Sequence, residues 1–334
     1  MIDVLLDADV LGRQRTGDET YVENLLRELP GAAPDLRLAA VTRFPERVPD
    51  GVEALELRAG SQELRMAWRL PRLLRRVRPR LAHFQHSLPL RGGGRSVLTV
   101  HDLSFEREPE LMPRKDRWVF KTVVPRSAKR ANRVIAVSDR TRDDLIELYG
   151  IAEEKIRVIP HGVDPAYSPG GGKGGGYLLF VGAVQRRKDP RAALEAAQEL
   201  RMPLVVVGPE REPALATELR TLGADLRGYV EKCELARLYR SAAALVVPSR
   251  YEGFGLPVLE AMASGTPVVA APDRALQEVG GDAAIFTRDF ADGVRRALAD
   301  RERLVAASLE RARAFSWEET ARRTLDVYRE VIAA

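Results

Sequence analysis

Residues 248–260 of this 334-residue chain read Pro-Ser-Arg-Tyr-Glu-Gly-Phe-Gly-Leu-Pro-Val-Leu-Glu. The apolar run Ala244–Val247 before them has the pattern of a buried strand. Pro257, followed by Val258, Leu259, Ala261 and Met262, has the pattern of a helix that Gly265 stops. Glu252 therefore falls on a glycine loop past a strand's carboxyl end, and Glu260 falls one turn into the next helix. The free N–H groups at that helix start, together with the helix dipole, can seat an anion. Gly253 and Gly255 let a ligand come close to the backbone. Phosphate suits the loop and hydroxyls suit the two carboxylates; a nucleotide sugar carries both. Outside this context, two glutamates so spaced would more often be a solvated turn.

Other stretches offer matching chemistry. Leu179 to Pro190 places Arg186, Arg187 and Lys188 just past a strand, where Lys188 and Arg187 could bind a diphosphate and its growing charge. A basic loop paired to nearby acids is the competing reading. Ser96 to Leu103 sets His101 and Asp102 at a strand end, where a histidine is more often structural than catalytic. The first turn after the opening strand holds Gly17 beside Asp18 and Glu19; acids there would repel a diphosphate and better suit acceptor hydroxyls. Asp7-Ala8-Asp9 has the spacing of a metal clamp, which is read as coincidence, and no metal is expected.

Taken together, these motifs resemble the retaining glycosyltransferases of family 4 (group 1), on the mannosyltransferase-like branch, whose fold is GT-B. The resemblance implies two Rossmann-like, doubly wound parallel-sheet domains facing across a cleft. By it, His101, Lys188 and Glu252 are the catalytic residues, with His101 facing the donor sugar's primary hydroxyl. Arg187, Gly253, Phe254, Gly255, Leu256 and Glu260 hold the donor, with Glu260 on the ribose. Tyr229 and Val230, after Gly228, match the loop that addresses the nucleobase. Gly17 and Asp102 lie on the acceptor side. The family commonly has an arginine where this chain has Ala183, so Arg187 either fills that role or the role is missing. Pro160-His161-Gly162-Val163-Asp164 resembles the interdomain hinge. The implied co-substrate is a nucleotide sugar, GDP-mannose ahead of a UDP-hexose, and the partner is a hydroxyl acceptor. A same-fold epimerase or hydrolase and a non-catalytic sugar-binding scaffold are the alternatives.

The elements that must position these residues alternate strand and helix. Strands are expected at Ile2–Asp7, Leu36–Val41, Leu81–Phe84, Val97–Val100 and Val134–Val137, with helices at Tyr21–Leu29 and Ser138–Tyr149. The pattern restarts at Tyr177–Val181 and runs through Leu204–Val207, Ala244–Val247 and Val268–Ala270. Such alternation implies parallel sheets covered on both faces. The glycine run after Pro169 reads as a linker, giving an acceptor-side domain 1–168, a linker 169–176 and a donor domain 177–314. A last helix, 315–334, follows the resemblance in crossing back to the first domain.

Composition narrows the class. A single cysteine, Cys233, excludes a disulfide framework, and no apolar run is long enough to span a bilayer. The expectation is a cytoplasmic protein. The net charge of +5 draws anions without naming them, and nothing beyond charge favours nucleic acid. Leu64 to Arg80 and Met112 to Arg130 are arginine-rich and interleaved with apolar residues. They read first as packed helices with solvated basic faces, and second as a peripheral contact with anionic membrane.

Overall fold

The computed structural model describes residues 1–13, 16–92, 94–111, 114–170 and 175–334. Met112 and the centre of the glycine run, 171–174, lie outside the described residues. The chain forms two compact units. Met1–Glu106, Met112–Gly162 and Trp317–Ala334 make the first; Arg107–Leu111 and Val163–Ser316 make the second. The chain passes between them at Gly162, ahead of the residue-168 boundary read from the glycine run.

In the first unit seven strands form one parallel sheet. They are β1 (Val4–Asp7), β2 (Leu38–Thr42), β3 (Glu53–Glu56), β4 (Leu81–Gln85), β5 (Arg95–Val100), β6 (Arg133–Ala136) and β7 (Ile156–Val158), in the order 3-2-1-4-5-6-7. Every pairing is parallel, so both faces must be covered. Leu5, Phe84, Leu98, Val100 and Val134 supply part of the core on one face, and each such side chain fully buried is worth about 1.5–3 kcal/mol. The last helix, Trp317–Ala333, packs on the helix Thr16–Ala32 and on β5. It does so because Trp317, Ala321, Leu325 and Tyr328 recur on one helical face and are buried.

The second unit repeats the plan with β8 (Leu178–Val181), β9 (Leu204–Val207), β10 (Asp225–Leu226), β11 (Ala244–Val247), β12 (Val268–Ala270) and β13 (Ile285–Phe286), in the order 10-9-8-11-12-13. Both sheets are doubly wound. Strand order reverses between β1 and β4 in one and between β8 and β11 in the other, and a crevice opens beyond the carboxyl ends at such a reversal. The architecture is two Rossmann-like domains, as the alternation implies.

Three local readings are corrected. Gly17 lies inside the helix Thr16–Ala32 and not in a polar turn, because Asp18 and Glu19 favour a helix start there. The strand β3 and the helix Arg274–Gly280 went unread; β3 is largely exposed and has no apolar alternation to mark it. Arg65, in a run read as a solvated basic face, is fully buried. Elsewhere in those basic runs Trp68 and Trp118 do stand exposed. No helix among the described residues is long and apolar enough to cross a membrane.

Glycines close the strand ends of the second sheet. Gly182 follows β8, Gly208 follows β9 and donates its N–H to the Gly228 carbonyl at 2.8 Å. A Cβ on Gly208 would stand 2.1 Å from the Gly182 carbonyl oxygen, at φ +139°. Backbone cannot yield as a flexible side chain can, so Gly208→Ala should cost about 3 kcal/mol or more. Gly223, at φ +96° with open space around it, should cost only about 1–2 kcal/mol as alanine. Urea midpoints of the two variants measure the difference.

Candidate active site

In the second unit the loops after β8 and β11 meet beside the strand-order reversal. The tight turn Gln185–Asp189 presents Lys188, and Pro190 starts the next helix. The Arg250 N–H donates to the Arg187 carbonyl at 2.9 Å, and Arg187 Nη1 donates to the Tyr251 carbonyl at 2.6 Å. This stitching brings Lys188 Nζ to 2.5 and 2.6 Å from the two Glu252 oxygens, across 64 residues of sequence. Arg187 Nη1 stands 3.9 Å from Glu252 Oε2. Glu252 is buried. Burial pushes its carboxyl up, but the charges of Lys188 and Arg187 outweigh that and hold it below the usual range. Three of the residues singled out from sequence thus form one charge cluster.

Glu260 belongs to a second cluster. Gly255, at φ +115°, caps the helix Leu256–Ala263, which carries Glu260 inward. A side chain at Gly255 would meet Leu276 at 2.8 Å. Tyr239 Oη donates to Glu260 Oε2 at 2.8 Å, and Tyr167 bonds to the same carboxyl. Asp164, held by Lys232 at 2.7 Å, faces this group as well. Burial pushes Glu260 up to about 7. Tyr167, Tyr239 and Lys232 were not read from sequence as site residues, and Asp164 was read only as part of the hinge-like element; no local spacing links them. Phe254 is buried against Phe315, and Tyr229 is half exposed.

In the first unit all four histidines of the chain share one cluster around Tyr21. His83 bonds to Tyr328 Oη at 2.6 Å and Thr99 Oγ1 at 2.7 Å. His101 follows β5, with its Nε2 bonded to Gln85 Oε1 at 2.9 Å, and burial pulls it down to about 4. His161 stacks on Trp317. Asp102 caps the turn into Ser104, accepting from its N–H at 3.1 Å and its hydroxyl at 3.0 Å.

The sequence matches the family model Glycosyltransferase Family 4 over residues 15–167 and the model Glycosyl transferases group 1 over residues 175–300. It is 30% identical over 267 residues to the O-antigen chain mannosyltransferase B of Escherichia coli, a match covering 70% of each chain. The chain belongs to the family 4, group 1 glycosyltransferases. It is also 36% identical to a D-inositol 3-phosphate glycosyltransferase of Nocardioides sp., over 60% of this chain and 54% of that one. The match spans little more than half of that relative. The solved sucrose-phosphate synthase of Thermosynechococcus elongatus aligns over 100% of both chains with a TM-score of 0.81 at 21% identity, and it places the fold as GT-B. Anabaena HepE, solved in complex with UDP-glucose, aligns over 99% of this chain and 100% of that one, with a TM-score of 0.75 at 15% identity.

The Asp7 and Asp9 carboxylates have arginine partners. Arg65 grips Asp7 at 2.5 and 2.9 Å, while Arg43 and Arg13 each reach Asp9 at 2.8 Å.

Glu260 makes stability depend on pH. Its folded value near 7 lies above the unfolded 4.5, so its contribution is complete below 4.5 and is lost as pH rises through 7. Glu260→Gln keeps an acceptor and removes the ionisation. Between pH 5 and pH 8.5 the variant should gain on the wild type by up to roughly 3 kcal/mol. Urea midpoints at the two pH values measure this; a pH-independent difference contradicts it.

Proposed function

We propose that this protein transfers a hexose, with mannose favoured, from a nucleoside diphosphate donor to a hydroxyl acceptor. Configuration is retained, and no metal takes part in the transfer. The observation carrying this reading is the Lys188–Glu252 pair beside the strand-order reversal of the second sheet, in a chain of this family. The E. coli relative is named a mannosyltransferase, which together with the Val100-His101-Asp102-Leu103 element favours GDP-mannose over a UDP-hexose.

The acceptor oxygen attacks C1 on the face that the nucleotide leaves. The C1–O bond to the diphosphate breaks through an oxocarbenium-like transition state, and the acceptor proton passes to the departing phosphate oxygen. Lys188 and Arg187 neutralise the charge that builds on the leaving group, where partial burial strengthens them. Glu252, with the backbone of Gly253 and Phe254, takes the donor sugar's hydroxyls, and Glu260 takes the ribose hydroxyls. Gly255 and Leu256 open the helix whose start faces the phosphates, and Tyr229 and Val230 flank the base. His101, neutral at pH 7, hydrogen-bonds the sugar's primary hydroxyl. Gly17 and Asp102 stay on the acceptor side.

A thermal-shift panel of GDP, UDP, ADP and dTDP tests the donor. The true nucleotide at 100 times its dissociation constant should add about 2.7 kcal/mol. GDP should lead; a lead by UDP would move the donor to a UDP-hexose. Turnover of donor alone at the full rate would point instead to an epimerase or hydrolase. Glu252→Ala should lower transfer by about a hundredfold or more, and full activity in that variant would remove the site assignment.

A further inference from the structure

The strand-order reversal of the first sheet gathers a different set of side chains. Asp18 lies in the first turn of the helix that follows β1, His86 directly follows β4, and His101 directly follows β5. These are the neighbouring strands at the reversal, where a doubly wound sheet opens its crevice. One ligand atom from each of the three lies within 4.8 Å of the others, and His86 Nε2 stands 3.9 Å from Asp18 Oδ2. We propose that Asp18, His86 and His101 form a binding site for a divalent transition-metal ion of the zinc class.

Ligand type argues for that class. Two imidazoles and one carboxylate suit zinc, cobalt or nickel, whereas magnesium and calcium prefer oxygen. Three protein ligands also leave a coordination position for water. Bonds of about 2.0–2.1 Å put tetrahedral ligand atoms about 3.3 Å apart, so with all three atoms within 4.8 Å of one another the cluster needs to close by about 1.5 Å at most. Asp18 can supply that movement, its side chain being 37% exposed.

Two further observations converge here. His86 holds φ +55°, a left-handed backbone that a non-glycine residue keeps only where its surroundings enforce it, here through its N–H bond to the Thr99 carbonyl at 2.8 Å. Gln85 Oε1, on His101 Nε2, meanwhile orients the His101 ring in the way an outer partner orients a metal-bound imidazole.

Occupancy would engage His101. Resting on the proposed function, zinc should therefore inhibit transfer by withdrawing that imidazole from the sugar. Binding itself is tested without catalysis. Untagged, chelator-treated protein is titrated with Zn²⁺ against a chromophoric chelator and with Co²⁺ by visible absorption, in wild type, His86→Ala and Asp18→Asn, each shown by thermal melting to be folded. The site predicts one equivalent bound by the wild type, at least tenfold weaker binding in both variants, and no competition by excess Mg²⁺. Absence of saturable binding, or equal affinity in all three proteins, overturns it. Zinc inhibition of transfer that persists unchanged in His86→Ala overturns the link to His101 while leaving the binding result intact.

Discussion

A parallel sheet whose strand order reverses cannot cover its own carboxyl ends at the point of reversal, and in the second unit that opening fixes where charge can collect. Lys188 leaves β8 and Glu252 leaves β11, the two strands that flank the reversal. The backbone bonds between their loops hold both charged groups in place, largely withdrawn from water. An ion pair so placed is costly to form and costly to break, since either partner alone would be a buried charge. That makes it weak as a stabilising device and well suited to a site, where an incoming anion can take over the lysine and sugar hydroxyls can take over the carboxylate.

The other buried ionisable groups follow the same rule with different solutions. Arg65 is fully buried because Asp7 and Asp9 compensate it. Burial pulls its guanidinium down, and the two carboxylates more than reverse that. His83 and His101 escape the cost by staying neutral, pulled by burial to about 3 and about 4. Glu260 escapes by holding its proton more tightly and accepting from two tyrosines. At the end of β8, Gly182 lies beside the Phe180 ring and the Lys188 stem, which a Cβ there would meet at 3.7 and 3.8 Å.

The inner strands of both sheets could be read from the sequence because they are short apolar runs between helical patterns, as at Leu204–Val207 and Ala244–Val247, whereas the edge strands β3, β7, β10 and β13 carry no such run. The Lys188–Glu252 region was legible because each residue lies in the loop after such a run. The surroundings of Glu260 were not, since Tyr167 and Tyr239 reach it from separate elements and carry no mark beyond ordinary tyrosine. His86 stands after β4 as His101 stands after β5, a signal present in the sequence but passed over because no motif surrounds it. The burial of Arg65 was hidden for a related reason. Its partners lie 58 and 56 positions earlier in the chain, and a run of arginines with apolar spacing looks the same whether one of them points inward or none does.

Calorimetric titration of Lys188→Gln and the wild type, each with the preferred nucleoside diphosphate and with its unphosphorylated nucleoside, isolates the charge contact. Glutamine can still donate to Glu252 but brings no charge to a phosphate. Diphosphate affinity should fall at least tenfold, about 1.4 kcal/mol, while nucleoside affinity stays the same. Unchanged diphosphate binding, or an equal loss for both ligands, would show that Lys188 does not hold the pyrophosphate.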